Sequence, residues 1–515
     1  MLQTHQGWRQ SFSSLKHPRV LSMLFFGFSA GIPLLLIFSS LSLWLREAGV
    51  ERSTVTYFSW AALAYSFKFL WAPLIDRIPL PFLTSFLGRR RAWLLASQTA
   101  IMLSIGMMAM VNPEQENALI VMAVAVVMLG FSAATQDIVI DAYRIEAVGS
   151  DLQALMSSTY IAGYRIGMLV SGAGALLLAN ALGSSLENYS YEAWRSSYLL
   201  MSLTMLVGML TTCIVKEPLA NVGFNTEFSS LQYLRFLGLF VASISLFIAF
   251  YLIGSDLVLS AKNALAEILG NVALANLMVE FLRLFFGLLI VALFIRTMSL
   301  TPLYEKDLIY QSYIAPVEEF FNRYGLKLAL LLLVFIGFYR VSDIVLGVIS
   351  NVFFQDMGFS KAEIATVVKS FGLAMTITGG FLGGILSARY GVIMMLYLGA
   401  ILTVVTNLLF VLLAQAGHNI EMLYFVISAD NLTAGLASAA FIAFLSSLTN
   451  ISFTAVQYAI FSSLMTLLPK VIGGYSGSMV DNMGYSNFFL LASLIGVPVI
   501  VFIYLIQKHA AFKNI

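Results

Sequence analysis

Runs of about twenty apolar residues recur from one end of this chain to the other, and that recurrence fixes the solvent in which it must fold. Crossing a hydrocarbon core takes roughly 20 helical residues. Candidate spans lie near 20–45, 54–75, 92–111, 118–143, 154–182, 194–215, 231–253, 271–297, 326–354, 362–388, 391–415, 421–449, 452–479 and 485–507, fourteen in all. Of the 515 residues 60% are hydrophobic and 10% charged, with a mean hydropathy of +0.89. So little charge would not keep a water-soluble domain of this size dispersed, so an all-α polytopic membrane protein is expected in a lipid bilayer. A lone cysteine, Cys213, excludes a disulfide framework, and four histidines without shared helix-face spacing give no basis for a zinc or haem site.

The first run, Val20 to Leu45, is too long for a signal-peptide core and lacks a small-residue cleavage site, so it is expected to span. Arg9, Lys16 and Arg19 precede it, and Arg77, Arg89, Arg90 and Arg91 separate the second and third spans. Lys216, Arg296, Lys306 and Arg323 flank the mid-chain loops, and Lys508 and Lys513 follow the last span. Alternate loops carry Glu114, Glu116, Glu187 and Glu192 instead. Basic loops stay cytoplasmic, so both termini are expected there, which an even number of spans satisfies.

An internal repeat divides the chain. Trp44-Leu-Arg-Glu-Ala-Gly49-Val, then Ser53, is echoed by Phe353-Phe-Gln-Asp-Met-Gly358-Phe, then Ser360. Ala193-Trp-Arg-Ser-Ser-Tyr198 is echoed by Gly484-Tyr-Ser-Asn-Phe-Phe489. Two six-helix halves related in this way are the architecture of the major facilitator fold. The expected organisation is a cytoplasmic segment 1–19, a half at 20–215, a linker at 216–300 holding an inserted two-helix hairpin, an amphipathic linker helix at 301–325, a half at 326–507 and a tail at 508–515. Within Leu308–Arg323, Pro316 interrupts helical spacing, and Glu318, Glu319 and Arg323 make one face polar, as suits an interfacial helix.

Charges inside spans carry the functional information, because each costs ~2.5–3.5 kcal/mol at a helix centre and must face a cavity or a partner. They are Lys68, Asp137, Asp141, Arg144, Arg165, Glu280, Arg283, Arg340, Asp343, Lys369, Asp430 and Lys470. Asp137 and Asp141 share one helix face, and two carboxylates at one low-dielectric site suit a proton carrier. Arg144 offers Asp141 a local ion pair instead, and Arg340 with Asp343 poses the same choice, with a proton role favoured for Asp343. Lys68, Arg165 and Lys369 have no carboxylate within a turn on their own helices. They are expected to hold an anionic substrate or to pair across helices. Tyr65, Tyr160 and Tyr164 lie near enough in sequence to pack on a sugar ring. Glu280 and Arg283 read as a local ion pair, and the glycines around Arg165 as a packing surface. No Walker-type loop is present, so a proton gradient rather than ATP, and no cofactor, is the expected energy source.

Asp76-Arg77 followed by Arg89-Arg-Arg91 resembles the loop signature of the major facilitator superfamily, although eleven residues separate the two parts. Gly383-Gly-Ile-Leu-Ser-Ala-Arg389 echoes it in the second half. Longer strings resemble the muropeptide permease family AmpG: Phe28-Ser-Ala-Gly31-Ile-Pro33, Phe67-Lys68-Phe-Leu-Trp71-Ala-Pro73, Ser132-Ala-Ala-Thr-Gln136-Asp137-Ile-Val-Ile-Asp141, Gly163-Tyr-Arg165-Ile-Gly167, and stretches around Asp343, Lys369, Asn431 and Gln457. Nearly the whole chain is covered except 220–300.

The resemblance implies a bacterial inner-membrane symporter importing N-acetylglucosaminyl-1,6-anhydro-N-acetylmuramyl peptides for wall recycling, linked to β-lactamase induction. Substrate contacts are then expected from Lys68, Tyr65, Gln136, Tyr160, Tyr164, Arg165, Arg340, Lys369, Asn431 and Gln457. Proton coupling is expected from Asp137, Asp141 and Asp343, and gating from Asp76, Arg77, Arg144 and Arg389. A monomer with no nucleic-acid partner is expected. The rival readings are an exporter or importer of another small anionic metabolite or drug, a membrane-embedded transferase, and a sensor without flux.

Overall fold

The computed structural model describes residues 14, 16–50, 58, 64–149, 152–185, 188–218, 228–270, 272–360, 363–473 and 476–509. They form helices and no strand. Thirteen helical segments are long and apolar enough to cross a membrane. The expected span at 54–75 lies partly outside the described residues; its described part is short helices at Ala64–Phe67 and Ala72–Arg77 around a 3-10 turn, Lys68–Leu70. In lipid a backbone must satisfy its own donors and acceptors, which is why apolar runs of this length become helices. Many of their large apolar side chains point outward, as a lipid-facing surface requires.

The chain divides into two compact units. One comprises Met1–Ile75, Pro79–Asn221 and Tyr324–Ile515; the other comprises Asp76–Ile78 and Val222–Arg323. In the first unit, helix 1 is Pro18–Ile37 with Ser39–Glu47, helix 2 the pieces at 64–77 as far as Ile75, helix 3 Arg89–Ala109 and helix 4 Ala118–Ala147. Helix 5 is Gln153–Leu169 continued through a π turn into Ala175–Ala181, and helix 6 is Tyr191–Thr204 with Leu206–Ile214. Helix 7 runs from the break at Gly325 to Phe338 and resumes as Val341–Asp356; helix 8 is a π stretch Ile364–Phe371 leading into Gly372–Tyr390. Helices 9 to 12 are Val392–Ala416, Ile420–Leu448, Thr454–Gly473 and Ser476–Lys508.

The repeat read from the sequence is also a repeat of contacts. Gly49 and Gly358 end helices 1 and 7 with φ of 80° and 87°, a left-handed conformation that glycine adopts without strain. Val50 N–H then returns to Leu45 O at 2.9 Å, and Phe359 N–H to Phe354 O at 3.0 Å. In the first half Trp44 stacks on Trp194 at 5.8 Å, and Trp194 Nε1 donates to Glu47 at 2.7 Å. In the second half Phe353 packs on Tyr485 at 4.9 Å, and the Tyr485 hydroxyl bonds Asp356. Each half is therefore clamped where its first and sixth helices meet.

Two seams hold helices at backbone contact. A Cβ at Gly27, Gly31, Gly163 or Gly167 would overlap a carbonyl of the facing helix, joining helices 1 and 5. Gly379, Gly383 and Gly435 do the same between helices 8 and 10. The glycines flanking Arg165 thus serve packing, as small-residue seams do in membranes. Gly384 lets helix 8 meet Ser158 of helix 5 and so joins the halves.

In the second unit, the expected two-helix hairpin is present as Ser230–Ile253 and Val272–Ser299, but a third helix, Ser255–Leu269, lies between them. Its fifteen residues are too few to span, and Asp256, Lys262 and Glu267 interrupt the apolar run, so hydropathy alone passed over it. Lys262 reaches Glu280 at 2.6 Å, and Glu280 also meets Arg283 at 3.6 Å. The stretch expected as an interfacial helix is helical from Lys306, with a π turn at Tyr310–Ile314 just before Pro316.

Candidate functional site

Two groups of buried polar side chains occupy the first unit. The first gathers on helices 2, 4, 5 and 11. Lys68 Nζ lies 3.3 Å from Asp141, and Arg144 lies 3.3 Å from the same carboxylate. Lys68 is thus an ion-pair partner across helices rather than an uncommitted cation. Asp137 stands apart from those pairs: its recorded hydrogen bond is from the Tyr160 hydroxyl at 3.3 Å. Tyr65 and Tyr164 stand beside it, and the Tyr65 hydroxyl is buried with no partner among the described residues. An orphaned hydroxyl next to a membrane-buried carboxylate marks a place for water or ligand.

Arg144 also ties the halves together. Its guanidinium donates to Ser157 at 3.1 Å and to Ser446 of helix 10 at 2.6 Å, and lies over the Tyr458 ring at 5.0 Å. Lys470 of helix 11 donates to Ser66 of helix 2 at 3.1 Å. Tyr458 and Lys470 stand twelve residues apart on helix 11, so these bonds join the halves at two separate levels.

The second group lines a cavity of ≈ 360 Å³ that includes Arg165, Asp343, Lys369, Asp430 and Asn431. Arg340 is bound to Asp343 at 2.5 Å and to Ser438 at 2.7 Å. The local pairing open at the sequence level is therefore present, on the cavity wall. Arg165 and Asp430 make no hydrogen bond or ion pair with a described residue. Asn431 is held by Thr376 at 2.8 Å and donates to Ile427 O at 3.1 Å. Tyr164, beside Asp137, is next in sequence to Arg165, so helix 5 links the two groups.

Other expected residues lie elsewhere. Gln136 is fully buried and donates to Ser29 of helix 1 at 3.0 Å, so it braces helix 4 against helix 1. Gln457 is buried and accepts from the Asn450 amide at 2.7 Å. Arg389 lies over Tyr390 at 5.3 Å. Asp76 and Arg77 belong to the second unit, where Arg77 donates to Gln311 O at 3.2 Å. Asp430 was not assigned a role from the sequence, where it has no charged neighbour on its helix; its burial inside a span was the available signal. No cluster of three or more metal-ligating side chains occurs among the described residues.

Helices broken within their spans, charges lining a cavity and two repeated halves are the marks of a transporter of the major facilitator fold. Solved structures agree in fold. The proton:xylose symporter XylE superposes with a TM-score of 0.58 at 12% identity, covering 96% of each chain. FucP in its outward conformation gives 0.60 at 10% identity, covering 96% of this chain and all of that one. Residues 20–252 match the family model described as acetyl-coenzyme A transporter 1. The protein designated AmpG 4 of Rickettsia conorii is 27% identical over 96% of this chain and 98% of its own length. The anhydromuropeptide permease of Escherichia coli K12 is 26% identical over 97% of this chain and 82% of its own. Along nearly its full length the chain is therefore similar to AmpG-type transporters, and its fold is that of the major facilitator superfamily.

Proposed function

We propose that this chain is a proton-coupled symporter that imports anhydromuropeptides from periplasm to cytoplasm across the bacterial inner membrane, with both termini cytoplasmic, serving peptidoglycan recycling and β-lactamase induction. The observation that carries it is the cavity whose lining includes Lys369, Asn431 and the Arg165 guanidinium, to which no carboxylate is bound among the described residues. Stem-peptide carboxylates suit the two cations, a peptide amide suits Asn431, and sugar rings suit Tyr160 and Tyr164. The likeness to an anhydromuropeptide permease supports that choice of cargo. A potential of roughly 150 mV supplies ~3.5 kcal/mol per proton, enough for a gradient of a few hundred-fold.

In this cycle Asp137 takes a proton while substrate seats at Arg165 and Lys369. Closure over the cavity is accompanied by release of Arg144 from Ser446, which opens the end of the bundle where helices 4 and 10 terminate. Return of the empty carrier follows loss of the proton from Asp137. Uptake of labelled anhydromuropeptide into vesicles, collapsed by a protonophore, is the expected result; export alone would overturn it. The family-model match favours one second reading, an acetyl-coenzyme A transporter, for which acetyl-coenzyme A would compete with the labelled substrate.

Lys369→Ala removes a charge-assisted bond to substrate, so the half-saturation concentration is expected to rise about tenfold or more with expression unchanged. An unmoved half-saturation would make Lys369 structural. Asp430→Asn is expected to shift the pH profile of uptake, because its carboxylate shares the cavity with Asp343 and Arg165. A superimposable profile would place Asp430 outside the coupling.

A further inference from the structure

Outside the transport site, a groove of ≈ 690 Å³ opens between the start of helix 1 and the end of helix 6. Its wall is apolar and faces the membrane: Leu21 and Phe25 of helix 1 are 48% and 42% exposed, Leu210 and Ile214 of helix 6 are 61% and 80% exposed. Its mouth is basic, with Arg19 and Lys216 flanking the Tyr143 edge. The acids near that mouth are already engaged. Glu146 holds Arg90 at 2.5 Å and Arg89 at 3.6 Å, and Glu217 accepts the backbone amides of Arg90 and Arg91 at 2.8 and 3.1 Å. Burial raises the Glu217 carboxyl above its usual range, which further weakens it as a counter-charge. The Arg19 guanidinium bonds the Ala147 carbonyl and no described carboxylate, and the Lys216 ammonium has no ion pair with a described residue, its carbonyl alone accepting from the Tyr143 hydroxyl at 3.2 Å. Helix 1 also begins here, adding the positive end of its dipole.

We infer that this groove is a binding site for an anionic phospholipid, its phosphate held by Arg19 and Lys216 and an acyl chain lying along Leu21, Phe25, Leu210 and Ile214. The volume falls within the range of ligand sites, and basic pockets between membrane helices at an interface recognise such head groups. Free phosphate would leave the apolar wall unfilled, and a neutral lipid would leave two cations without a counter-charge.

The test uses the full chain reconstituted in nanodiscs of phosphatidylglycerol and phosphatidylcholine in equal amounts, with retained lipid counted by native mass spectrometry. The wild-type chain is expected to keep phosphatidylglycerol in preference. Arg19→Gln with Lys216→Gln should lower that preference about 30-fold, on ~5-fold per basic residue. Arg195→Gln, at the opposite end of helix 6, should leave it unchanged. Lys216→Gln alone, at an exposed position, keeps the test open if the double variant does not fold. Equal retention of the two lipids, an unchanged preference in Lys216→Gln, or displacement by millimolar inorganic phosphate would each overturn the assignment. None of these outcomes depends on which solute the central cavity carries.

Discussion

Asp137→Asn is expected to abolish accumulation of substrate against a gradient while leaving the folded protein and substrate exchange intact. The reason lies in how the structure separates two carboxylates one helical turn apart. Asp141 is committed to Lys68 and Arg144, each at 3.3 Å, whereas Asp137 has a tyrosine hydroxyl as its recorded partner. A carrier must gain and lose its proton once per cycle, and an acid locked between two cations serves that poorly. Asparagine keeps the size of the side chain and a hydrogen bond to Tyr160 but cannot ionise. Accumulation should fall from the few-hundred-fold that ~3.5 kcal/mol permits to unity. Counterflow, which needs no net proton movement, should persist. Normal accumulation by the asparagine variant would remove Asp137 from the mechanism.

Gly163→Val is expected to prevent assembly of the bundle. Any Cβ at this position would overlap Leu24 O on helix 1, and that obstacle is backbone that cannot turn aside as a side chain can. Separating the two helices to make room would also lift the neighbouring contacts at Gly27, Gly31 and Gly167. The cost is on the order of 3 kcal/mol or more, at the upper end for overpacked sites. Detergent-solubilised protein should show little monodisperse material by size exclusion and a strongly lowered melting temperature. Gly174→Ala is the control, since the nearest atom to its Cβ would be Val170 Cγ1 at 4.0 Å. A valine variant with wild-type melting would mean that the seam can open freely.

Much of the fold was legible in the sequence, because apolar run length and loop charge report directly on the bilayer. The repeat was legible too, and the matched clamps at Trp44 with Trp194 and Phe353 with Tyr485 give it a physical basis. The functional cations were harder. Lys68 has no acid near it in sequence, yet it pairs with Asp141 across seventy-three positions, which no single-helix spacing can show. Gln136 and Gln457 have the donors and acceptors a ligand would want, but Gln136 Nε2 meets Ser29 and Gln457 Oε1 meets the Asn450 amide. Asp430 was visible as a costly charge, and its relation to Arg165 and Asp343 exists only once helices 5, 7 and 10 surround one cavity. The helix Ser255–Leu269 escaped notice because a short amphipathic segment leaves no hydropathy peak.

The matched clamps have a mechanical consequence. With Glu47 tied to Trp194 and Asp356 tied to Tyr485, each six-helix half has its first and last members pinned at one end, so neither half can fan open like a hand. The remaining freedom is a rocking of two stiff bodies about the contact of helix 5 with helix 8, where Gly384 meets Ser158 as a pivot. A lever of this kind needs few bonds to latch it. Arg144 on Ser446, within a turn of the ends of helices 4 and 10, latches the side away from the clamps, and there a small rotation becomes the largest displacement.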